Sequence, residues 1–118
     1  MIRTLLLVGI GGGSGGILRF LIQRWLNAPF FSWGTLLVNG LGCFLIGVLW
    51  ALSDRNLSSD GRHLLMSGFC GGFTTLSAFT LESNGLLQDG RAGTFLLYTF
   101  ATVAGGLLAT FAGYKLMT

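Results

Sequence analysis

The chain has 118 residues, 52% hydrophobic and only 9% charged, with a formal net charge of +3. Ordinary globular domains carry about 25% charged residues, so composition excludes a soluble domain, which would need far more surface charge. The length favours one domain, and the positive balance does not point to nucleic acid, because the charges are scattered along the edges of apolar runs rather than gathered in a patch.

Polar punctuation divides the chain into four apolar runs. Thr4 to Trp25 is the first, and Asn27-Ala28-Pro29, with the only proline, interrupts it. Gly34 to Leu52 is the second, followed by the one strongly hydrophilic segment, SDRNLSSDGR, from Ser53 to Arg62. The third runs from His63 to about Leu87 and is closed by Gln88-Asp89-Gly90-Arg91; the fourth runs from Ala92 to about Leu116. Each is near the ~20 residues needed to cross ~30 Å of hydrocarbon. The prediction is a single all-α transmembrane domain, a multi-pass protein of the inner (plasma) membrane in contact with lipid, with helices about 4–25, 34–52, 63–87 and 92–116. Barrel strands would alternate in ~10-residue pieces, and these runs are continuous. A cleaved signal peptide is not expected, since the first run contains Arg19 and exceeds a typical apolar signal core.

The first run carries small residues four apart: Gly9 and Gly13, Gly11 and Gly15, Gly12 and Gly16. This spacing lets helices approach closely in lipid. The glycine-rich GIGGGSGG lacks the Lys and Ser/Thr of a phosphate loop. Arg19, several residues inside the run, has three open readings: it snorkels to the interface, it caps a helix break, or it lines a vestibule.

In the second run Thr35, Asn39, Cys43 and Gly47 share one helical face. Intramembrane polar groups by default mark function, so Asn39 is either an interhelical hydrogen-bonding group or a pathway residue. Cys43 and Cys70 have no metal-ligand companions at usable spacing and read as small buried hydrophobes. His63, at the start of the third run, reads as interfacial.

The third run contains SGFCGGFTTLSAFT, Ser67 to Thr80. Glycine disfavours a helix by roughly 1 kcal/mol relative to alanine, so Gly71-Gly72 predicts a break near mid-bilayer. Freed backbone groups cannot face lipid; they need protein, water or an ion, and broken helices recur at ion sites. Hydroxyls from Thr74, Thr75, Ser77 and Thr80, with the ring edges of Phe73 and Phe79, favour an anion. In the fourth run Ala101, Gly105, Ala109 and Gly113 form a packing line, while Thr99, Thr102 and Thr110 with Gly106 trace a weakly polar stripe. The physics indicates a channel or transporter for a small, anionic solute. No paired acid and base, metal-ligand cluster or nucleophile–histidine pair indicates an enzyme.

Four crossings put Arg3, Arg55, Arg62 and Lys115 on one side and Arg24 and Arg91 on the other, with Arg19 leaning toward the latter. The positive-inside rule needs an asymmetry to choose an orientation. Four against three supplies almost none, so insertion in both orientations, and an antiparallel dimer, are expected; if Arg19 is buried in protein and not counted, a mild bias remains.

GGGSGGILRF, GTLLVNGLGCFLIG and GFCGGFTTLSAF, in that order, resemble the bacterial fluoride channels of the Fluc/CrcB family over essentially the whole chain. The resemblance implies an antiparallel dual-topology homodimer, two fluoride pores along the subunit interface, a central structural sodium, and passive fluoride export that confers fluoride resistance. It implies that carbonyls of Gly71 and Thr74 from both subunits hold the sodium, that Asn39 and Phe79 line the pore, and that Ser77, Thr80 and Thr110 lie on or near a polar track. Arg19 and Glu82 match family positions with vestibule or structural roles.

Two residues depart from the family pattern TTFSTF, which reads TTLSAF here: Leu76 stands for the first phenylalanine and Ala78 for a threonine. Leucine has no positive ring edge, which implies slower conduction, pairing with a different homologous subunit, or an engineered substitution. Gly106 stands where some relatives have serine. Two other classes compete. A small multidrug-type dual-topology transporter needs a carboxylate in the first helix, where this chain has Arg19; its intramembrane acid is Glu82, in the third. A non-transporting membrane scaffold would tolerate substitution of Asn39 and Phe79.

Overall fold

The apolar runs become helices because lipid offers no partner for backbone N–H and C=O groups, so each segment closes its own hydrogen bonds. The computed structural model describes residues 1–29, 31–53 and 55–118. Helix α1 spans Ile2–Leu26 and α2 Trp33–Ser53; between them β1 (Asn27–Ala28) pairs antiparallel with β2 (Phe31–Ser32). The third span, Ser59–Gln88, is composite. It comprises α3 (Ser59–Gly61), a π-helical stretch (Arg62–Cys70), α4 (Gly71–Phe73) and α5 (Leu76–Gln88); α6 (Ala92–Leu116) completes the chain. All four spans are long and apolar enough to cross a membrane. At 1.5 Å per residue, the 25 residues of α1 or α6 extend about 37 Å, which covers the hydrocarbon with some tilt.

Short polar devices close the ends. Asn27 Oδ1 accepts the Thr35 amide at 3.1 Å, which serves one of the orphan N–H groups at the start of α2. The Ser58 hydroxyl accepts from Gly61 at 3.0 Å and caps α3. Gly90, at φ 74°, ends α5: its amide donates to the Leu87 carbonyl at 3.1 Å and that of Arg91 to Leu86 at 2.8 Å. This is a Schellman closure, in which the left-handed residue is best glycine. At the opposite end of the bundle Arg3 pairs with Asp60 and Arg55 donates to the Met117 carbonyl, bringing the N-terminus, the middle connection and the C-terminus together.

Two helix pairs dominate the packing: α1 against the first half of the third span, and α2 against α6. Both use glycine to bring backbones together. A Cβ on Gly15 would lie 2.3 Å from the Phe69 carbonyl oxygen, and one on Gly47 would lie 2.1 Å from that of Thr110. The small-residue lines are realised only in part. Gly11 and Gly15 are buried against the third span, whereas a Cβ on Gly9, Gly13 or Gly105 would meet nothing within 4 Å. Gly113 approaches Phe44, but Gly105 of the same predicted line faces outward.

The Cα envelope measures 47 × 31 × 21 Å. Its thinnest dimension is about two helix diameters, so the buried core is small: Val38, Leu49, Phe73 and Tyr98 are its larger members. Leu5, Ile10, Leu81, Leu107 and Phe111 are more than half exposed. That outward apolar surface belongs in lipid or against another membrane chain.

Candidate functional site: the mid-span break and its cavities

The third span does break at its middle, but not at the glycines. Gly71 is α-helical, at φ −62° and ψ −37°, and Gly72 lies inside α4. The extended residues are Thr74 (φ −86°, ψ 157°) and Thr75 (φ −149°, ψ 119°). Gly72 serves contact instead: a Cβ there would sit 2.4 Å from the Gly12 carbonyl oxygen. β-Branched threonine tolerates extended backbone well, and side-chain partners compensate the lost helical bonds.

Those partners can be followed group by group. The Thr75 amide turns from the Gly71 carbonyl to Asn39 Oδ1, at 2.7 Å, and Asn39 Nδ2 donates back to the Thr75 carbonyl at 3.0 Å. The Asn39 side chain thus replaces a backbone strand. Arg19 Nε donates to the Gly72 carbonyl at 3.0 Å, at the edge of the break. Thr75 is the N-cap of α5, its Oγ1 accepting the Ala78 amide at 3.2 Å. With the Thr75 and Ala78 amides engaged elsewhere, the Gly71 and Thr74 carbonyls lose their helical donors. Thr74 keeps its own amide and hydroxyl on the Cys70 carbonyl, at 3.1 and 3.0 Å.

A polar network leads from Arg19 to the far side of the bundle. Arg19 Nη1 donates to Gln23 Oε1 at 3.3 Å, and Gln23 Nε2 donates to Thr35 Oγ1 at 3.0 Å. The Thr35 hydroxyl, fully buried, donates to Glu82 Oε2 at 3.0 Å. Asn27 Nδ2 donates to the same carboxylate oxygen at 3.1 Å, and the Tyr98 hydroxyl to Glu82 Oε1 at 2.9 Å. A carboxylate inside a membrane is costly unless its oxygens are met by donors, and three donors meet this one.

Beside the break α2, the third span and α6 leave a cavity of about 580 Å³. Asn39, Gly71, Thr74, Leu76, Phe79 and Thr110 all line it. Thr110 donates to the Cys43 carbonyl at 2.9 Å, so its proton is already engaged. Thr102, also in the lining, has a buried hydroxyl without a partner among the described residues. Leu76 is 74% exposed, so at the position where the family motif carries phenylalanine a leucine points out of the fold. Ser77 and Thr80 are exposed on α5 and do not line this cavity. The Ser77 and Thr75 hydroxyls lie 3.3 Å apart, and Thr80 donates to the Ser77 carbonyl at 2.9 Å. Thr80 lines a second, smaller cavity, and Phe79 lines both. The Phe79 and Tyr98 ring centroids are 5.2 Å apart. Arg19 and Glu82 lie in the network, outside the cavity lining. Cys70 is buried and Cys43 half-buried, each a free thiol.

Sequence reading overlooked Asn27 and Tyr98 as partners of Glu82, and Gln23 as the link from Arg19 to Thr35. Their signal was weak, since Gln23 and Asn27 lie at the end of a run where polar residues are expected. The four-residue face of α2 was informative: Thr35 meets Glu82, Asn39 meets Thr75, and Cys43 and Gly47 meet Thr110.

A small four-span membrane protein, its third helix interrupted at mid-span and clamped by side chains beside a weakly polar cavity, defines an ion-pathway class of fold rather than a catalytic one. The chain belongs to the CrcB family, matching the family described as CrcB-like protein, Camphor Resistance (CrcB), over residues 6–114. It is similar to proteins named fluoride-specific ion channel FluC in three bacteria. The Rhizobium etli protein is 45% identical over 117 residues, covering 95% of this chain and 94% of the relative. The Leptospira interrogans protein is 47% identical over 116 residues, covering 94% and 91%. The Thermus thermophilus protein is 43% identical over 119 residues, covering 98% and 94%. These relatives are named as ion channels, not enzymes, and the four spans make this chain a multi-pass protein of the inner membrane.

Proposed function

We propose that the chain is a fluoride channel that lets the ion leave the cell passively, and that it works as an antiparallel dual-topology homodimer. The observation that carries the reading is the break at Thr74–Thr75, held open by Asn39 and Arg19 beside a cavity lined by Phe79 and threonines. A dehydrated anion needs hydrogen-bond donors and positive ring edges in place of its water. Asn39 retains one amide proton beyond its bond to Thr75, and Thr102 has an unpartnered hydroxyl, so each has a donor to offer. The relatives' name supplies the identity of the ion.

The Gly71 and Thr74 carbonyls fit a structural sodium. They are neutral hard oxygens released from helical bonding, both at the cavity. One chain provides two such oxygens and an antiparallel pair provides four, so the ion would join subunits and neutralise carbonyl dipoles at the break. With Arg19 engaged inside the bundle, four basic residues on one side face two on the other, a mild bias compatible with insertion both ways, and the outward-facing Gly9, Gly13 and Gly105 leave close-approach surface for a second chain.

A second reading, one subunit of a heterodimeric channel with a weakened pore, is favoured by the exposure of Leu76, whose missing ring a partner would have to supply. The small multidrug-type reading is disfavoured by Glu82, whose two oxygens are engaged by Tyr98, Thr35 and Asn27. The test is fluoride-electrode efflux from vesicles containing the purified chain, with chloride and an organic cation as controls. Selective fluoride release is expected; release of neither halide, or coupled uptake of the cation, rejects the proposal.

A further inference from the structure

The second cavity, about 250 Å³ between α5 and α6, lies past Phe79 from the break. Phe79, Thr80, Ser83, Asn84, Phe95 and Thr99 line it. The Ser83 and Thr99 hydroxyl oxygens are buried and have no hydrogen-bond partner among the described residues, and Ser83 is only 6% exposed. Hydroxyls in membrane helices ordinarily bond back to their own backbone. Ser14 does so to Ile10 at 2.9 Å, Thr74 to Cys70 at 3.0 Å and Thr80 to Ser77 at 2.9 Å. Ser83 and Thr99 leave that bond unmade, on two different helices, at one shared space. Buried polar groups without partners are costly in a low-dielectric setting, which points to a ligand that both meet.

Size and depth define the ligand. Water takes about 30 Å³ per molecule in the liquid, so the space accommodates a small ion together with several waters, not a bare ion alone. Ser83 is five residues from the end of α5 and Thr99 seven from the start of α6. At 1.5 Å per residue these are depths of about 8 and 10 Å from the helix ends. The cavity therefore lies between the membrane edge and Phe79. The N-terminus of α6, with Arg91 as its flanking residue, faces the same edge and favours negative charge. Asp89 is exposed at that edge, and the neighbouring Glu82 directs its oxygens to Tyr98, Thr35 and Asn27.

Resting on the channel reading, we propose that this cavity is a dehydration station, where a partly hydrated fluoride exchanges water for the Ser83 and Thr99 hydroxyls before passing the Phe79 ring. The two hydroxyls donate in place of the waters they displace, the remaining waters stay with the ion, and the Phe79 ring edge takes over at the next step. Neither residue touches the break, so the station is separable from the clamp.

The test is fluoride efflux from vesicles for the parent chain, Ser83→Ala, Thr99→Val, their double variant, and Thr99→Ser, each first checked for a monodisperse elution profile. Hydrogen bonds to an ion are strong enough that losing both donors is expected to slow efflux about tenfold or more. Thr99→Ser, which keeps the donor and loses only a methyl, is expected within about twofold of the parent. A double variant as fast as the parent overturns the station. So does Thr99→Ser as slow as Thr99→Val, which assigns the effect to packing. Parent vesicles that release no fluoride reject the channel reading itself, a distinct outcome that removes the station with it.

Discussion

Arg19 and Gly72, 53 residues apart in the chain, meet where Arg19 Nε donates to the Gly72 carbonyl at 3.0 Å. The contact satisfies a backbone oxygen that the interrupted helix would otherwise leave bare inside the membrane. It also ties α1 to the mid-span break and, through Gln23 and Thr35, to Glu82.

Replacing Arg19 with alanine is expected to destabilise the fold by about 2 kcal/mol, the order of a charged hydrogen bond to a buried group. Arg19→Lys is expected to recover only part of that, because an ammonium cannot reproduce the planar fork that reaches both Gly72 and Gln23. Thermal unfolding in detergent measures both; a midpoint unchanged in Arg19→Ala contradicts the capping role.

Asn39→Ala removes the acceptor for the Thr75 amide and the donor to its carbonyl in one step. Each stranded group costs about 1–3 kcal/mol. Hydrogen exchange at Thr75 is expected to accelerate strongly while amides in α6 remain protected. Uniform acceleration across the chain would indicate global loss instead, and no change would refute the clamp.

Gly72→Ala places a methyl 2.4 Å from the Gly12 carbonyl oxygen, and the atoms that would have to move are backbone. A loss of about 1–3 kcal/mol is expected for such overpacking. Gly93→Ala, where the added Cβ meets nothing within 4 Å, is expected to stay within about 1 kcal/mol of the parent. The comparison is made by thermal melting of the two variants side by side; equal losses would contradict the assigned contact.

Leu76→Phe restores a ring edge at an exposed position on the cavity rim. Fluoride efflux from vesicles is expected to rise several-fold if one aromatic contact of about 1 kcal/mol is regained along the path. Identical rates would discard the weakened-pore reading.

Composition and run length alone determined that this is a helical membrane protein with four spans, because lipid forces continuous apolar segments to close their own hydrogen bonds. The four-residue spacing of Thr35, Asn39, Cys43 and Gly47 identified the working face of α2, since helical periodicity is local. The site was legible only in outline. GG in the third span signalled an interruption, yet its residues turned out helical, and Thr74–Thr75 carry the extended backbone. Glycine propensity is a local, weak term of about 1 kcal/mol, and it was outweighed by two nonlocal ones: the close approach of Gly72 to Gly12, and the bonds from Asn39 and Arg19 that make the threonine break tolerable. Likewise no spacing rule joins Glu82 to Thr35 and Asn27, or brings Ser83 and Thr99 to one cavity. Those meetings depend on how the spans pack, which only the tertiary structure decided.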